Sequence, residues 1–223
     1  MGEYSVGIAT RSKIYDVAKR LFYEQGVKAT SYAQISREAE VNKGLIPYYF
    51  KTKPKLAMQV DREFLGGIDD AIWGHWGEDG LTDPEFHMIY ELLMFRLLGR
   101  DPQVLRFYSD VMGDPDCHDA CLALQRETMG QIAMGSGIAV SDAALQTIVA
   151  MVNGTESELV HALQSAQLHE SVEDFVRRDV LCCYFLLGAD TAAVEEVFDR
   201  SLDLCEGLTL ACGPDFSVSV VAS

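Results

Sequence analysis

No lysine follows Lys55 in this chain of 223 residues, and that absence splits the molecule electrically. Ten Lys/Arg (residues 11, 13, 19, 20, 28, 37, 43, 51, 53 and 55) lie within the first 60 positions against five Asp/Glu, a local surplus of +5. The remainder carries −21, which brings the formal net charge to −16 and the isoelectric point to about 4.6. A chain so acidic overall is a poor partner for nucleic acid, but a basic head on an acidic body can hold phosphates at one end and repel them elsewhere. No apolar run approaches the roughly 18 residues of a membrane span. The start, MGEYSVGIATRSK, lacks a charged segment followed by an apolar one, so no signal peptide is expected and the chain is expected in the cytoplasm. Six cysteines (117, 121, 182, 183, 205 and 212) fall in helical patterns, which predicts buried free thiols over a disulfide framework. No nucleophile elbow, phosphate-cradling glycine loop or HExxH is present; no enzyme and no cofactor are expected. No convincing period-two run appears either, while apolar residues recur at helical spacing, so the fold class is all-α.

The basic segment reads as a helix-turn-helix. A first helix over Thr10–Gln25 carries the apolar stripe Ile14, Val17, Ala18, Leu21 and Phe22, and Gly26 suits a left-handed stop. Ser31, with Gln34 three residues on, forms a capping box that opens a second helix with Ile35 and Ala39 inward. Val41-Asn42 makes the turn, and Asn42 caps a short third helix to Phe50 whose Ile46 and Phe50 face the core. Lys43, Leu45, Tyr48 and Tyr49 are left outward. Two adjacent outward tyrosines imply a surface that something covers. Thr52 caps a fourth helix with Pro54 in its first turn, running to about Trp76 and weakened at Gly66-Gly67. The major groove admits one helix, and helix starts at Ser31 and Thr52 present free N–H groups to phosphates. These features predict DNA binding.

The stretch Thr10–Met58 resembles the DNA-binding domain of the tetracycline-repressor (TetR) family of transcriptional regulators. The likeness rests on IYDVAKRLFYEQGVKATS (14–31), QISREAEVNKGLI (34–46) and YYFKTKPKL (48–56). The resemblance implies a homodimeric repressor that releases its double-stranded DNA operator when a small molecule enters the C-terminal domain. It assigns base-reading positions to Lys43, Gly44, Leu45 and Tyr48, and phosphate-contact positions to Ser31, Tyr32, Tyr49 and Lys53. Glu40 stands where the family usually has glycine, and Pro47 where it usually has a phosphate-contacting tyrosine. A proline there should loosen the helix start or place it later.

The implied organisation is a head over 1–53 and a ligand-binding and dimerisation domain over 54–223. After a loop at 77–84, helices are expected near 84–100, 102–112, 116–134, 141–168, 172–188 and 190–212, with FSVSVVAS as a loose end or edge strand. The homodimer seam is placed on about 172–212, where VLCCYFLLG (180–188) is unusually apolar and Val194, Val197, Phe198, Leu202, Cys205 and Leu208 form a stripe. An apolar effector pocket is sought among Phe64, Trp73, Met94, Phe107, Tyr108, Met112 and Met129, residues that an ordinary core also contains. Asn153, Glu156 and His161 are its candidate polar anchors. Two alternatives stay open: a helical interaction module that no longer binds DNA, and a metal-responsive regulator using Cys117, His118 and Cys121, whose spacing matches no closed zinc motif. The expected metal content is none.

Overall fold

The computed structural model describes residues 2–77 and 80–223, with side chains from Val6 onward; Glu78 and Asp79, in the loop expected at 77–84, lie outside the described residues. The elements run α1 (Gly2–Gln25), α2 (Tyr32–Glu38), α3 (Leu45–Phe50), α4 (Lys53–Trp76), α5 (Asp83–Arg100), α6 (Pro102–Met112), α7 (His118–Gly135), α8 (Asp142–Gln164), α9 (Val172–Leu187) and α10 (Thr191–Leu204), then the hairpin β1 (Leu208–Cys212) and β2 (Val218–Ala222). The fold class is helical, as read from the sequence.

Local chemistry explains most boundaries. Ser31 accepts from Gln34 N while the Gln34 side chain accepts from Ser31 N, a complete capping box. Thr52 does the same service for Lys55 N, and Thr82, Ser141 and Ser171 cap α5, α8 and α9. Gly26 stops α1 at φ 84°, and any Cβ there would sit 2.7 Å from an Asp110 carboxylate oxygen.

Three expectations need correction. The first helix begins at Gly2, not Thr10, because no proline or turn sequence interrupts GEYSVGIAT; the Thr10 hydroxyl donates to the Val6 carbonyl (2.9 Å) within the helix. The third helix starts at Leu45, with Asn42 accepting from Gly44 N (2.8 Å) in the turn and Pro47 in the first helical turn, the later start that proline requires. The last helix ends at Leu204. Gly207 adopts φ 68°, and LTLAC and VSVVA pair antiparallel in the register Leu208↔Ala222, Leu210↔Val220, Cys212↔Val218. Period-two alternation is visible there, but it covers only five residues per strand.

Head and body meet through α6 and the hairpin. Asp101 caps α6 at Gln103 N and Val104 N, while its second oxygen accepts the Tyr23 hydroxyl (2.9 Å). Arg106 donates to the carbonyls of Tyr23 (3.0 Å) and Glu24 (2.7 Å), and Asp110 accepts from Lys28 N (3.0 Å) with the Lys28 ammonium 3.4 Å away. Phe216, in the hairpin turn, buries its ring against Tyr23 of α1, Phe64 of α4 and Phe107 of α6 at centroid distances of 5.8, 5.7 and 4.4 Å. Around α5, which is buried along most of its length, pack α4, α6, α7, α9, α10 and β1.

Candidate nucleic-acid interface and interior polar cluster

The head's cations divide into two sets. Lys13 pairs with Glu40 (2.9 Å), Lys19 with Glu63 (2.8 Å), Arg20 with Glu24 and Glu38, and Arg37 with Glu38 (3.6 Å). Arg11 reaches the Gln59 side chain and lies over the Phe50 ring. Those charges are spent on the head itself and on the adjoining start of α4. Lys43, Lys51 and Lys55 make no ion pair among the described residues; all are exposed, and they flank α3 on both sides. The unneutralised positive charge is therefore concentrated around one short helix.

Along α3, Ile46 and Phe50 are buried and Tyr48 is 69% exposed. Tyr49 is half-buried with its ring edge-on to Tyr48 at 4.9 Å. Lys43, Gly44 and Ser31 are exposed, and Leu45 and Tyr32 half-buried, so seven of the sequence-derived contact residues (Ser31, Tyr32, Lys43, Gly44, Leu45, Tyr48 and Tyr49) keep at least part of their surface open. Lys53 differs. Its ammonium donates to the carbonyls of Val27 (2.8 Å), Thr30 (2.9 Å) and Lys28 (3.4 Å), tying α4 to the loop between α1 and α2. Its first task is internal. Glu40, in the helix-turn-helix turn, adopts φ 51°, a left-handed conformation that explains why glycine suits that position; the Lys13 ammonium beside it holds its carboxyl below the usual range.

The ligand candidates scatter. Phe64 and Phe107 belong to the Phe216 junction, and Trp73 stacks on Phe86 at 4.4 Å. Met94 and Met129 are core residues, Met112 is half-buried, and His161 is exposed in the last turn of α8, outside the interior where an anchor was expected. Tyr108, Asn153 and Glu156 do come together: the Tyr108 hydroxyl donates to Glu156 Oε1 (2.5 Å), and Asn153 lies one turn before Glu156 on α8.

Around them stand carboxylates that sequence reading passed over. Asp61 of α4 is 3% exposed, with Oδ1 unpartnered. Burial pushes Asp61, Glu156 and Asp179 each up to about 7; Glu91 and Asp61 raise Glu156 further, and Glu91 and Glu156 raise Asp179. The signal was legible. Ala57, Val60, Asp61, Phe64 and Ile68 fall on one helical stripe, and Asp179 interrupts the stripe Phe175, Val176, Val180 and Cys183, so each acid stands where an apolar residue is due.

Cys117 and Cys121 are buried, their thiols pushed up to about 12 by burial, with Cys117 Sγ near the Pro54 carbonyl (3.8 Å) and Cys121 Sγ near the Met58 sulfur. His118 is exposed. Among the described residues no three His, Cys, Asp or Glu gather to hold a metal ion, and the metal-responsive alternative finds no support in this geometry. All six cysteines are free, with Cys182 exposed and Cys212 half-buried; the other four are buried as expected. None of the described helices is long and apolar enough to cross a membrane.

Three helices, the third short, exposed and framed by lysines that make no ion pair among the described residues, followed by further helices, are the arrangement of a helix-turn-helix protein. Residues 14–60 match the family described as bacterial regulatory proteins, tetR family. In sequence, the likeness to that family is carried by this segment. Over 51 residues it is 45% identical to the HTH-type transcriptional regulator AcrR of Shigella flexneri, covering 23% of this chain and 24% of AcrR. Over 50 residues it is 40% identical to the HTH-type transcriptional regulator QacR of Staphylococcus aureus, covering 22% and 27%. The chain thus matches about a quarter of the length of these relatives. The crystal structure of RolR in complex with resorcinol superimposes with a TM-score of 0.62 at 18% identity, over 88% of this chain and 96% of that one. That likeness is one of fold and extends through the body.

Proposed function

We propose that the chain is a DNA-binding transcriptional regulator: a homodimeric, cytoplasmic repressor that binds a double-stranded operator through residues 1–53 and releases it when a small molecule enters residues 54–223. The observation that carries this reading is the confinement of unpaired lysines to the two ends of α3, beside the exposed Tyr48. Lys43, Gly44, Leu45 and Tyr48 read bases; Ser31, Tyr32 and Tyr49 contact phosphates, with Lys53 adding long-range positive charge from its internal seat. Phosphate contacts position the head and the short helix reads the groove.

Two heads must meet successive major-groove faces roughly 34 Å apart, which a twofold dimer supplies. Its seam is best placed on the helical part of the expected region, Val172–Leu204. Much of the α10 stripe is turned inward, since Val194, Phe198 and Cys205 are buried in their own subunit. On α9, however, Phe185 is 66% exposed and Cys182 exposed, an outward apolar face of the kind a second copy covers. Effector control is supported by the interior polar cluster and by the neighbour RolR, which has been crystallised with a small ligand. A gel-shift titration with DNA flanking the chain's own gene tests the reading. Binding should be abolished in Lys43→Ala/Tyr48→Ala and should weaken with salt at a slope set by the phosphates neutralised, about −0.9 per contact. Indifference to that DNA in dilute buffer overturns it.

A further inference from the structure

Resting on the effector-responsive reading, we infer that the interior of the body is a receptor for an organic cation, an ammonium or guanidinium group on an aromatic or apolar frame, received by Asp61, Glu156 and Asp179 with Asn153 as a polar anchor.

Four helices each contribute an acid: Asp61, buried, from α4, and Glu91, Glu156 and Asp179, half-buried, from α5, α8 and α9. Among the described residues no arginine or lysine forms an ion pair with them. Every arginine of the body with an ion pair spends it elsewhere: Arg96 on Glu173, Arg126 on Asp142, Arg177 on Asp199, Arg178 on Glu170 and Arg200 on Glu85. Arg106 is held by head carbonyls, and Arg62 beside Asp61 is exposed. The cationic partner within the cluster is at most His87, whose Nε2 is 3.5 Å from Glu91. Buried carboxylates are ordinarily paired, because a charge taken from water costs several kcal/mol unless compensated.

Unfilled polar valences point the same way. Asp61 Oδ1, His87 Nδ1 and Asn153 Nδ2 are all without partners, on residues 3%, 7% and 7% exposed. Asn153 and Glu156 share the inner face of α8, so the free amide sits beside the carboxyl that takes the Tyr108 hydroxyl. Native interiors leave few such groups open, and each implies a missing partner. A bare metal ion is a poor fit, since no three potential ligands converge. An extended cation fits better: its charge can span separated carboxylates, and the aromatic Tyr108 stands beside Glu156. Burial raises all three acids, and neighbouring carboxylates add to it at Glu156 and Asp179, so an entering cation would draw them into the charged form.

The test uses the full-length protein at pH 8 with three isosteric probes: 2-phenylethylamine, 2-phenylethanol and 3-phenylpropanoate, and with benzyltrimethylammonium as a fourth. Calorimetry should detect one or both cations and neither the alcohol nor the acid. Asp61→Asn and Glu156→Gln should each weaken cation binding at least tenfold, and, because they remove uncompensated charge, should raise the ligand-free melting midpoint by ~2–4 °C. Equal binding of the alcohol, undiminished binding in the two variants, no cation binding at all, or a lowered midpoint in both variants overturns the inference. Cation binding that leaves the operator complex intact upholds the receptor and refutes only its coupling to DNA release.

Discussion

Replacing Phe216 with alanine should cost about 3–5 kcal/mol of stability, the range for deleting a fully buried phenylalanine ring. The upper part of that range is expected. Phe216 is 2% exposed and touches rings from three helices, Tyr23, Phe64 and Phe107, and aromatic pairs add about 0.5–1.5 kcal/mol beyond the area they bury. Its backbone conformation gives a second handle. At φ 61° Phe216 stands in the left-handed region, which costs an ordinary residue about 1–2 kcal/mol and is retained in alanine. Glycine relieves that strain but loosens the unfolded chain by about 0.5–1 kcal/mol, so Phe216→Gly should lie within roughly 1 kcal/mol of Phe216→Ala. The ring, not the backbone, sets the effect. Urea unfolding followed by circular dichroism measures it, with the slope unchanged and the midpoint lower by on the order of 2 M. A loss below about 1 kcal/mol for the alanine variant would mean that the hairpin rests on a finished fold and does not lock head to body.

Lys53→Met should destabilise the head by about 2 kcal/mol, since bonds from a charged donor to carbonyls contribute about 1.5–3 kcal/mol; thermal melts of the variant check it, and an unchanged melt returns Lys53 to a purely DNA-facing role. Stability should fall as pH rises from 5 to 8. Asp61, Glu156 and Asp179 have folded values near 7, above their ordinary 3.8–4.5, so their contribution is full below the unfolded values and is lost as pH climbs through the folded ones. The carboxyls held low, such as Glu63 and Glu85, weaken the fold only in more acidic solution. Urea midpoints at pH 5 and 8 decide, and a shallower profile in Asp61→Asn/Glu156→Gln would assign that share of the slope to these two acids. Phe185→Glu should convert a dimer to monomer in sedimentation velocity at micromolar concentration, with its helix content intact; a dimer that survives moves the seam away from α9.

What was legible in the sequence follows from the range of the forces involved. Caps, glycine stops and apolar stripes act within a turn or two, so the capping box at Ser31, the stop at Gly26 and the inward Ile46 and Phe50 were all readable. Pro47 also acts locally, setting the start of α3 at Leu45. Tertiary partners were not readable. Nothing near Lys53 in sequence says that its ammonium will meet carbonyls 23 to 26 residues back. FSVSVVAS stays open in sequence as an edge strand, but its partner Leu208–Cys212 falls within the expected last helix because five residues carry little periodicity. The hairpin's worth lies in Phe216 reaching helices more than a hundred residues away. His161 and Glu156 looked equivalent along the chain; the packing of α8 against its neighbours turned one outward and the other inward.

On the proposed effector-responsive reading, the arrangement of α6 supplies a physical route for control. On one side Asp101, Arg106 and Asp110 grip Tyr23, Glu24 and Lys28 at the end of α1. On the other, Tyr108 puts its hydroxyl on Glu156 in the interior. An eleven-residue helix cannot shift one face and leave the other in place. A ligand competing for Glu156 therefore acts on the same rigid element that orients the head. It can change operator affinity only by as much as its own affinity differs between the two α6 positions. Tyr108→Phe removes the hydroxyl and leaves the ring packed. It should reduce the ligand's effect on DNA affinity while leaving operator binding in its absence near normal. If operator release in Tyr108→Phe is as complete as in the wild type, the signal bypasses this contact and travels through α4 or the hairpin instead.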